Sequence, residues 1–201
     1  KLDQSWLKEF SDSLRQLSMH YEVSLIGGDT TRGSLNITIT MIGIVESSKA
    51  LTRSGARPGD GVYVSGTIGD AGFCFWKLSN GLVPSNQELK RLNCPTPRIE
   101  LGLELKSLAS ACIDISDGLI QDLGHILDSS DVGGRLSSSL IPVNKGANLN
   151  DALFGGDDYQ LLCTSPTQME GFYRIGEITQ ESGILVDERE LSRRGYDHFL
   201  A

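Results

Sequence analysis

Apolar residues at Leu2, Trp6, Phe10, Leu14, Leu17 and Tyr21 recur every three or four positions, so the chain opens inside an amphipathic helix. A helix with so apolar a face and no strand before it needs a surface to pack on, and residue 1 is Lys, so a preceding N-terminal part is expected. The period then shortens to two. Val23–Ile26 reads as a short strand running into Gly27-Gly28-Asp29. Leu35, Ile37, Ile39 and Met41 alternate with Asn36, Thr38 and Thr40, which predicts a long half-buried strand ending near Val45. From Glu46 to Gly61 the period is lost to Ser, Gly, Pro and charge, as in Arg53-Ser54-Gly55-Ala56-Arg57-Pro58-Gly59-Asp60. A domain boundary is expected in this stretch, with residues 1–50 in one domain and 51–201 in the next.

Beyond the boundary, Gly61–Ser65 reads as a strand, and Gly66–Asp70 as a turn into a helix carrying Phe73, Phe75 or Trp76, and Leu78. Ser85, with Glu88 three residues later, is the capping-box signature of a second helix. Pro95 and Pro97 separate it from a third, which carries Ile99, Leu101, Leu103, Leu105 and Leu108. Ala111–Ile115 then reads as a short buried strand that delivers Asp114, Ser116 and Asp117 to a turn. Leu119, Leu123, Ile126 and Leu127 mark the helix that follows, from about 119 to 129. Further strand pieces are expected at 133–136, 140–143, 158–164, 173–178 and 183–186, with a short helix at 149–154. Strands and helices are interleaved without strict βαβ order, so the pattern predicts an α+β fold of helices packed on a mixed sheet.

Composition narrows the function. A chain of 201 residues, 39% of them hydrophobic, can bury a sizeable core. Its formal charge of -8 lacks the clustered Lys and Arg on which nucleic-acid binding rests, so no nucleic-acid partner is expected. No apolar run approaches the roughly 20 residues of a membrane-spanning helix, and no membrane partner is expected either. Cys74, Cys94, Cys112 and Cys163 are scattered in or beside apolar runs without a CxxC pair, and read as free core thiols of a cytoplasmic protein. His20, His125 and His198 share no zinc-ligand spacing. With no GxSxG, GxxxxGK[ST] or GxGxxG loop present, a nucleotide that binds here is held by carboxylates and metal ions.

Three stretches carry such groups. Asp114, Ser116 and Asp117 put two carboxylates and a hydroxyl at a strand-to-helix turn, beside a free helix N-terminus. This is a place for Mg²⁺ and a phosphate, or else Asp117 caps the helix and Asp114 makes a surface turn. The flanking Ile113 and Ile115 favour the first, since a strand that buries both faces rarely holds an acid without a partner. Gly27–Gly33 combines glycine amides, Asp29, two threonines and Arg32, which suits either phosphate wrapping or a hairpin loop with an Asx turn. Gly155-Gly156-Asp157-Asp158 by itself reads as a hairpin turn, and Arg53 and Arg57 as solvated linker residues.

Taken together and in this order, GGDTTRG (27–33), RSGARPGD (53–60), PTPR (95–98), DISDGL (114–119) and GGDDYQL (155–161) resemble the thiamine-monophosphate kinase family. That family sits in an ATP-binding superfamily with aminoimidazole ribonucleotide synthetase, selenophosphate synthetase and a hydrogenase maturation protein. The resemblance runs from about Val23 to Phe199. It implies a two-domain PurM-like arrangement, with a truncated N-terminal domain whose sheet pairs across a homodimer and a C-terminal α+β domain. It also implies Mg²⁺-dependent transfer of the γ-phosphoryl group of ATP to thiamine monophosphate, without a side-chain nucleophile. Residue by residue, it implies Asp29, Asp114 and Asp117 as Mg²⁺ ligands and Gly28, Asp29, Arg53 and Ser116 as ATP contacts. Gln160 and Phe199, with Tyr196 as rival to Phe199, are implied as thiamine contacts. Gln160 stands where the family has Glu, so the charge that would attract a cationic thiazolium is missing. The residue set suits the chemistry, because phosphoryl transfer asks for positioning and charge neutralisation more than covalent help. The competing readings are a sister enzyme of the superfamily, like selenophosphate synthetase or aminoimidazole ribonucleotide synthetase, and a catalytically silent nucleotide-binding module.

Overall fold

The computed structural model describes residues 3–47, 49–192 and 195, and the chain divides into two units, residues 1–43 and 44–201. In the first, α1 (Gln4–His20) starts where Asp3 Oδ1 accepts hydrogen bonds from the Ser5 and Trp6 amides at 2.9 and 3.2 Å. Such a cap contributes about 1 kcal/mol by satisfying two amides that the helix leaves free. Trp6 and Phe10, one turn apart, stack at 5.6 Å, and no residue of α1 is buried. The strands expected at 23–26 and 35–45 do not form among the described residues. Leu25, Ile26, Leu35, Ile39, Met41 and Ile42 stand exposed. A strand exists only through its ladder, and alternation alone supplies no partner for the N–H and C=O groups.

The second unit contains β1 (Gly61–Val64), α2 (Asp70–Ser79), α3 (Asn86–Asn93), α4 (Ile99–Leu105), β2 (Ala111–Asp114), α5 (Leu119–Ser130) and β3 (Gly133–Leu136). These are followed by a 3₁₀ turn (Ser138–Leu140), α6 (Leu149–Phe154), β4 (Leu161–Ser165), β5 (Tyr173–Thr179), β6 (Gly183–Val186) and β7 (Arg189–Glu190). The strands form one mixed sheet in the order β2-β4-β1-β5-β3-β6-β7, antiparallel except for the parallel pair β3–β6. This is the α+β arrangement the pattern predicts. The 140–143 piece is instead the 3₁₀ turn and a single bridge from Val143 to Ile68, and β7 is too short to leave a period in the sequence.

The two-residue period of the strands sorts the core. Val62 and Val64 of β1, Ile113 of β2, Leu162 of β4 and Ile175 of β5 pack with Leu119, Leu123 and Ile126 of α5. Tyr63 and Cys163 point the other way, onto Leu105 of α4 and Met169. Full burial of each Leu, Ile or Val in the larger cluster contributes roughly 1.5–3 kcal/mol, which fixes α5 and β2 as one body. β2 lies at the end of the strand order, and its burial alternates: Ala111 and Ile113 face in, Cys112 is half-buried and Asp114 is exposed. The expectation that this strand buries both faces holds in part: Cys112 packs on the cluster of Tyr63, Leu105 and Cys163, and only Asp114 at the strand's end is open. Cys74 and Cys163 are buried free thiols, as the sequence suggests, but Cys94 is exposed because it caps the end of α3.

Candidate functional site

Asp114 ends β2, Ile115 is buried beneath it, and Ser116, Asp117 and Gly118 turn the chain into α5. Gly118 sits at φ +119°, a conformation in which a side chain is strained. Asp122, in the first turn of α5, is 1% exposed, and its Oδ2 accepts hydrogen bonds from the amides of Ser116, Asp117 and Gly118 at 3.0, 3.0 and 3.1 Å. Burial raises the Asp122 pKa, with those three amides pulling the other way. The amides of the turn that leads into α5 are therefore taken by an internal carboxylate and are not open to a phosphate. What the turn leaves open is the side chains of Asp114, Ser116 and Asp117.

The third glycine-acid stretch runs antiparallel beside this turn. The Asp157 amide donates to the Ser116 carbonyl at 2.9 Å, Tyr159 N–H to the Ile115 carbonyl at 2.8 Å, and Ile115 N–H to the Gln160 carbonyl at 2.8 Å. Contact is so close that a Cβ on Gly156 would fall 2.3 Å from the Ser116 carbonyl oxygen. Asp157 and Tyr159 both adopt positive φ, +63° and +50°, a costly state for a tyrosine that persists only when the surroundings hold it. The result is alternation: Asp157 and Tyr159 face out, Asp158 and Gln160 face in.

Each inward residue has a structural partner. Asp158, 6% exposed, accepts from the amides of Gly69 and Ala71 at the start of α2, at 2.6 and 3.3 Å. Burial pushes its pKa up to about 6 despite those two bonds, and the neighbouring Asp70 adds to the rise. Gln160, 1% exposed, accepts from Ser65 Oγ at 2.8 Å. This residue, implied as a thiamine contact, places its amide inside the fold, at a position where the loss of a Glu charge has a packing consequence.

The outward residues form an acidic cluster. Tyr159 Oη donates to Asp157 Oδ1 at 3.2 Å, and its pKa is raised by burial first, then by the charges of Asp157, Asp114 and Asp117. Among the described residues, Asp114 and Asp117 make no side-chain hydrogen bond or ion pair. Ligand atoms of Asp117, Asp122 and His125 lie within 4.8 Å of one another. The backbone of Gly195 passes the same turn, with a Cβ there falling 2.4 Å from the Asp117 carbonyl oxygen.

The structure thus brings Asp114, Ser116 and Asp117 together with residues 155–160. Arg53 is not among them: its carbonyl accepts from Ser130 Oγ at the last residue of α5, and twelve helical residues span about 18 Å. Gly28 and Asp29 belong to the first unit, where Asp29 accepts from the amide of the next residue, Thr30, at 2.7 Å. Tyr196 and Phe199 lie outside the described residues. Sequence reasoning missed Asp122, and gave Asp157, Asp158 and Tyr159 no role of their own. The signal for Asp122 is an acid in the first turn of an apolar helix, and for the others a two-residue alternation that continues the strand into its turn.

Residues 57–188 match the family described as AIR synthase related protein, C-terminal domain. Over 98% of its length the chain is 41% identical to thiamine-monophosphate kinase of Escherichia coli (strain K12), of which it covers 70%. The crystal structure of thiamine-monophosphate kinase from Stenotrophomonas maltophilia K279a superposes with a TM-score of 0.84 at 31% identity, covering 95% of this chain and 70% of that one. AaThiL complexed with AMPPCP and TMP also superposes at 0.84, with 27% identity over 99% of this chain and 70% of the other.

Proposed function

The chain belongs to the thiamine-monophosphate kinase family, and on that premise we propose that it transfers the γ-phosphoryl group of ATP directly to the phosphate of thiamine monophosphate, giving thiamine diphosphate. The observation that carries the reading is the acidic cluster. Asp114, Asp117 and Asp157 gather around Tyr159, and among the described residues no cation pairs with Asp114 or Asp117. Uncompensated carboxylates that offer only oxygen donors fit a hard divalent cation, and Asp114 and Asp117 are the residues that would hold Mg²⁺. An ion held there would supply charge neutralisation to the substrate phosphates.

The protein's own contribution is positioning. Asp29 is assigned as a further Mg²⁺ ligand, and Gly28, Arg53 and the Ser116 hydroxyl as contacts to ATP, with Phe199 or Tyr196 at the thiamine moiety. The acceptor phosphate is already ionised at neutral pH, so no strong general base is required, in keeping with a cluster of carboxylates and a tyrosine. We assign residues 1–50 to an ATP-binding and dimerisation domain and residues 51–201 to the C-terminal α+β domain. The exposed apolar run Leu35, Ile37, Ile39 and Met41 supports a homodimer in which this segment gains ladder partners. Among the described residues no helix is long and apolar enough to cross a membrane, and the free thiols support a cytoplasmic setting.

The test is a coupled assay on the full-length protein, following thiamine diphosphate formed from ATP and thiamine monophosphate with Mg²⁺ present and then chelated. Product that requires Mg²⁺ and falls by about 100-fold or more in Asp117→Asn is expected. Absence of product from the wild-type protein with Mg²⁺ and both substrates would refute the function, and an unchanged rate in Asp117→Asn would refute the metal assignment. Sedimentation of the same protein as a monomer would remove the dimer.

A further inference from the structure

We infer that Asp122 is a positioning residue: its buried carboxylate acts as an internal anion that folds the Ser116–Gly118 turn and so fixes where Asp114 and Asp117 present their oxygens. The inference rests on the functional reading above. Three successive amides converge on one oxygen, Asp122 Oδ2, at 3.0, 3.0 and 3.1 Å. Amides gathered in this way at a helix start ordinarily serve a bound phosphate. Here the chain supplies its own anion, so these three amides are not free for a phosphate.

The carboxylate is itself held firmly. Asp122 lies on α5 between Leu119, Ile120 and Leu123, each fully buried, so the helix packing sets its height and the turn adapts to it. From the other side, the Asp157 amide and the Gly156 backbone press on the Ser116 carbonyl, leaving the turn clamped between two partners. With Asp122 neutral or shortened, the turn loses three charge-assisted hydrogen bonds at once, while Asp114 on β2 stays put. The separation of the two outward carboxylates then relaxes, and a cation is bound less well. Residues that orient metal ligands in this way typically contribute 10- to 100-fold to metal affinity or activity.

Two measurements test this. Amide hydrogen exchange on the wild-type protein reads the clamp without any substitution. The amides of Ser116, Asp117 and Gly118 are expected to exchange about 100-fold or more slowly than in an unstructured peptide, although the turn is at the surface. Exchange at peptide rates would overturn the inference, whatever the enzyme does. Kinetics on full-length Asp122→Asn then separate positioning from general damage. The Mg²⁺ concentration for half-maximal rate is expected to rise about tenfold or more, with the KM for thiamine monophosphate within about twofold of wild type. An unchanged Mg²⁺ requirement, or equal losses in both parameters, would overturn it. If the wild-type protein makes no thiamine diphosphate, the functional reading fails on its own, and the exchange measurement still decides the role of Asp122.

Discussion

Asp158 offers a quantitative check on the way the third glycine-acid stretch is fastened. Its carboxyl is 6% exposed, receives amides from Gly69 and Ala71, and titrates at about 6 rather than the ordinary 3.8. The folded state therefore binds this proton more tightly than the unfolded state. Its contribution to stability is present in full below about pH 3.8 and is lost as the pH rises through about 6. A shift of about two units corresponds to about 3 kcal/mol across that window. In Asp158→Asn this pH dependence disappears. The variant is also less stable at every pH, because one amide then meets an NH₂ group instead of an oxygen. The assay is urea unfolding of both proteins at a series of pH values with Mg²⁺ chelated, read as the difference in unfolding free energy. About 2.4 kcal/mol of this falls between pH 4 and 7.5, so at a slope of about 2 kcal/mol per molar urea the wild-type midpoint should fall relative to the variant by about 1.2 M over that range. A difference flat with pH would refute the reasoning, as would a side-chain carboxyl resonance of Asp158 titrating below about pH 4.5.

Other perturbations isolate single contacts. Gly156→Ala places a Cβ 2.3 Å from the Ser116 carbonyl oxygen, so the two turns must part; a loss of about 1–3 kcal/mol and a raised Mg²⁺ requirement are expected, and a wild-type melting temperature would contradict the close approach. Ser85→Ala removes the capping box in which Ser85 Oγ accepts from the Glu88 amide and Glu88 answers to the Ser85 amide; about 1 kcal/mol of stability is lost with kcat unchanged, so a drop in kcat would show that α3 is coupled to the site. Arg91→Ala leaves Asp70, nearly buried, without the guanidinium at 2.8 Å; a loss of about 1–3 kcal/mol that shrinks in Asp70→Asn/Arg91→Ala is expected, and additive losses would refute the pairing.

The limits of legibility follow from what a linear pattern encodes. The second unit was readable because its helices carry their own signals, such as the Ser85–Glu88 box, and its strands alternate over a core they meet within the same unit. Leu35–Met41 alternates just as cleanly, yet forms no strand among the described residues, because alternation states which face is apolar and nothing about a ladder partner. The site shows the same division. Asp114 and Asp117 stand out as acids at the end of an apolar run, but nothing local distinguishes an acid that faces solvent from one that faces amides. Asp122 and Asp158 are the same residue type at similar turns, and both face inward, each bonded to backbone N–H groups that only the folded chain brings near. The inward acids shape the two turns and the outward acids are left for a ligand. That division of labour explains why Gln160 is the informative departure: at an inward position the exchange of a charge for an amide alters how the turn is held, through Ser65, before it alters what the turn can bind.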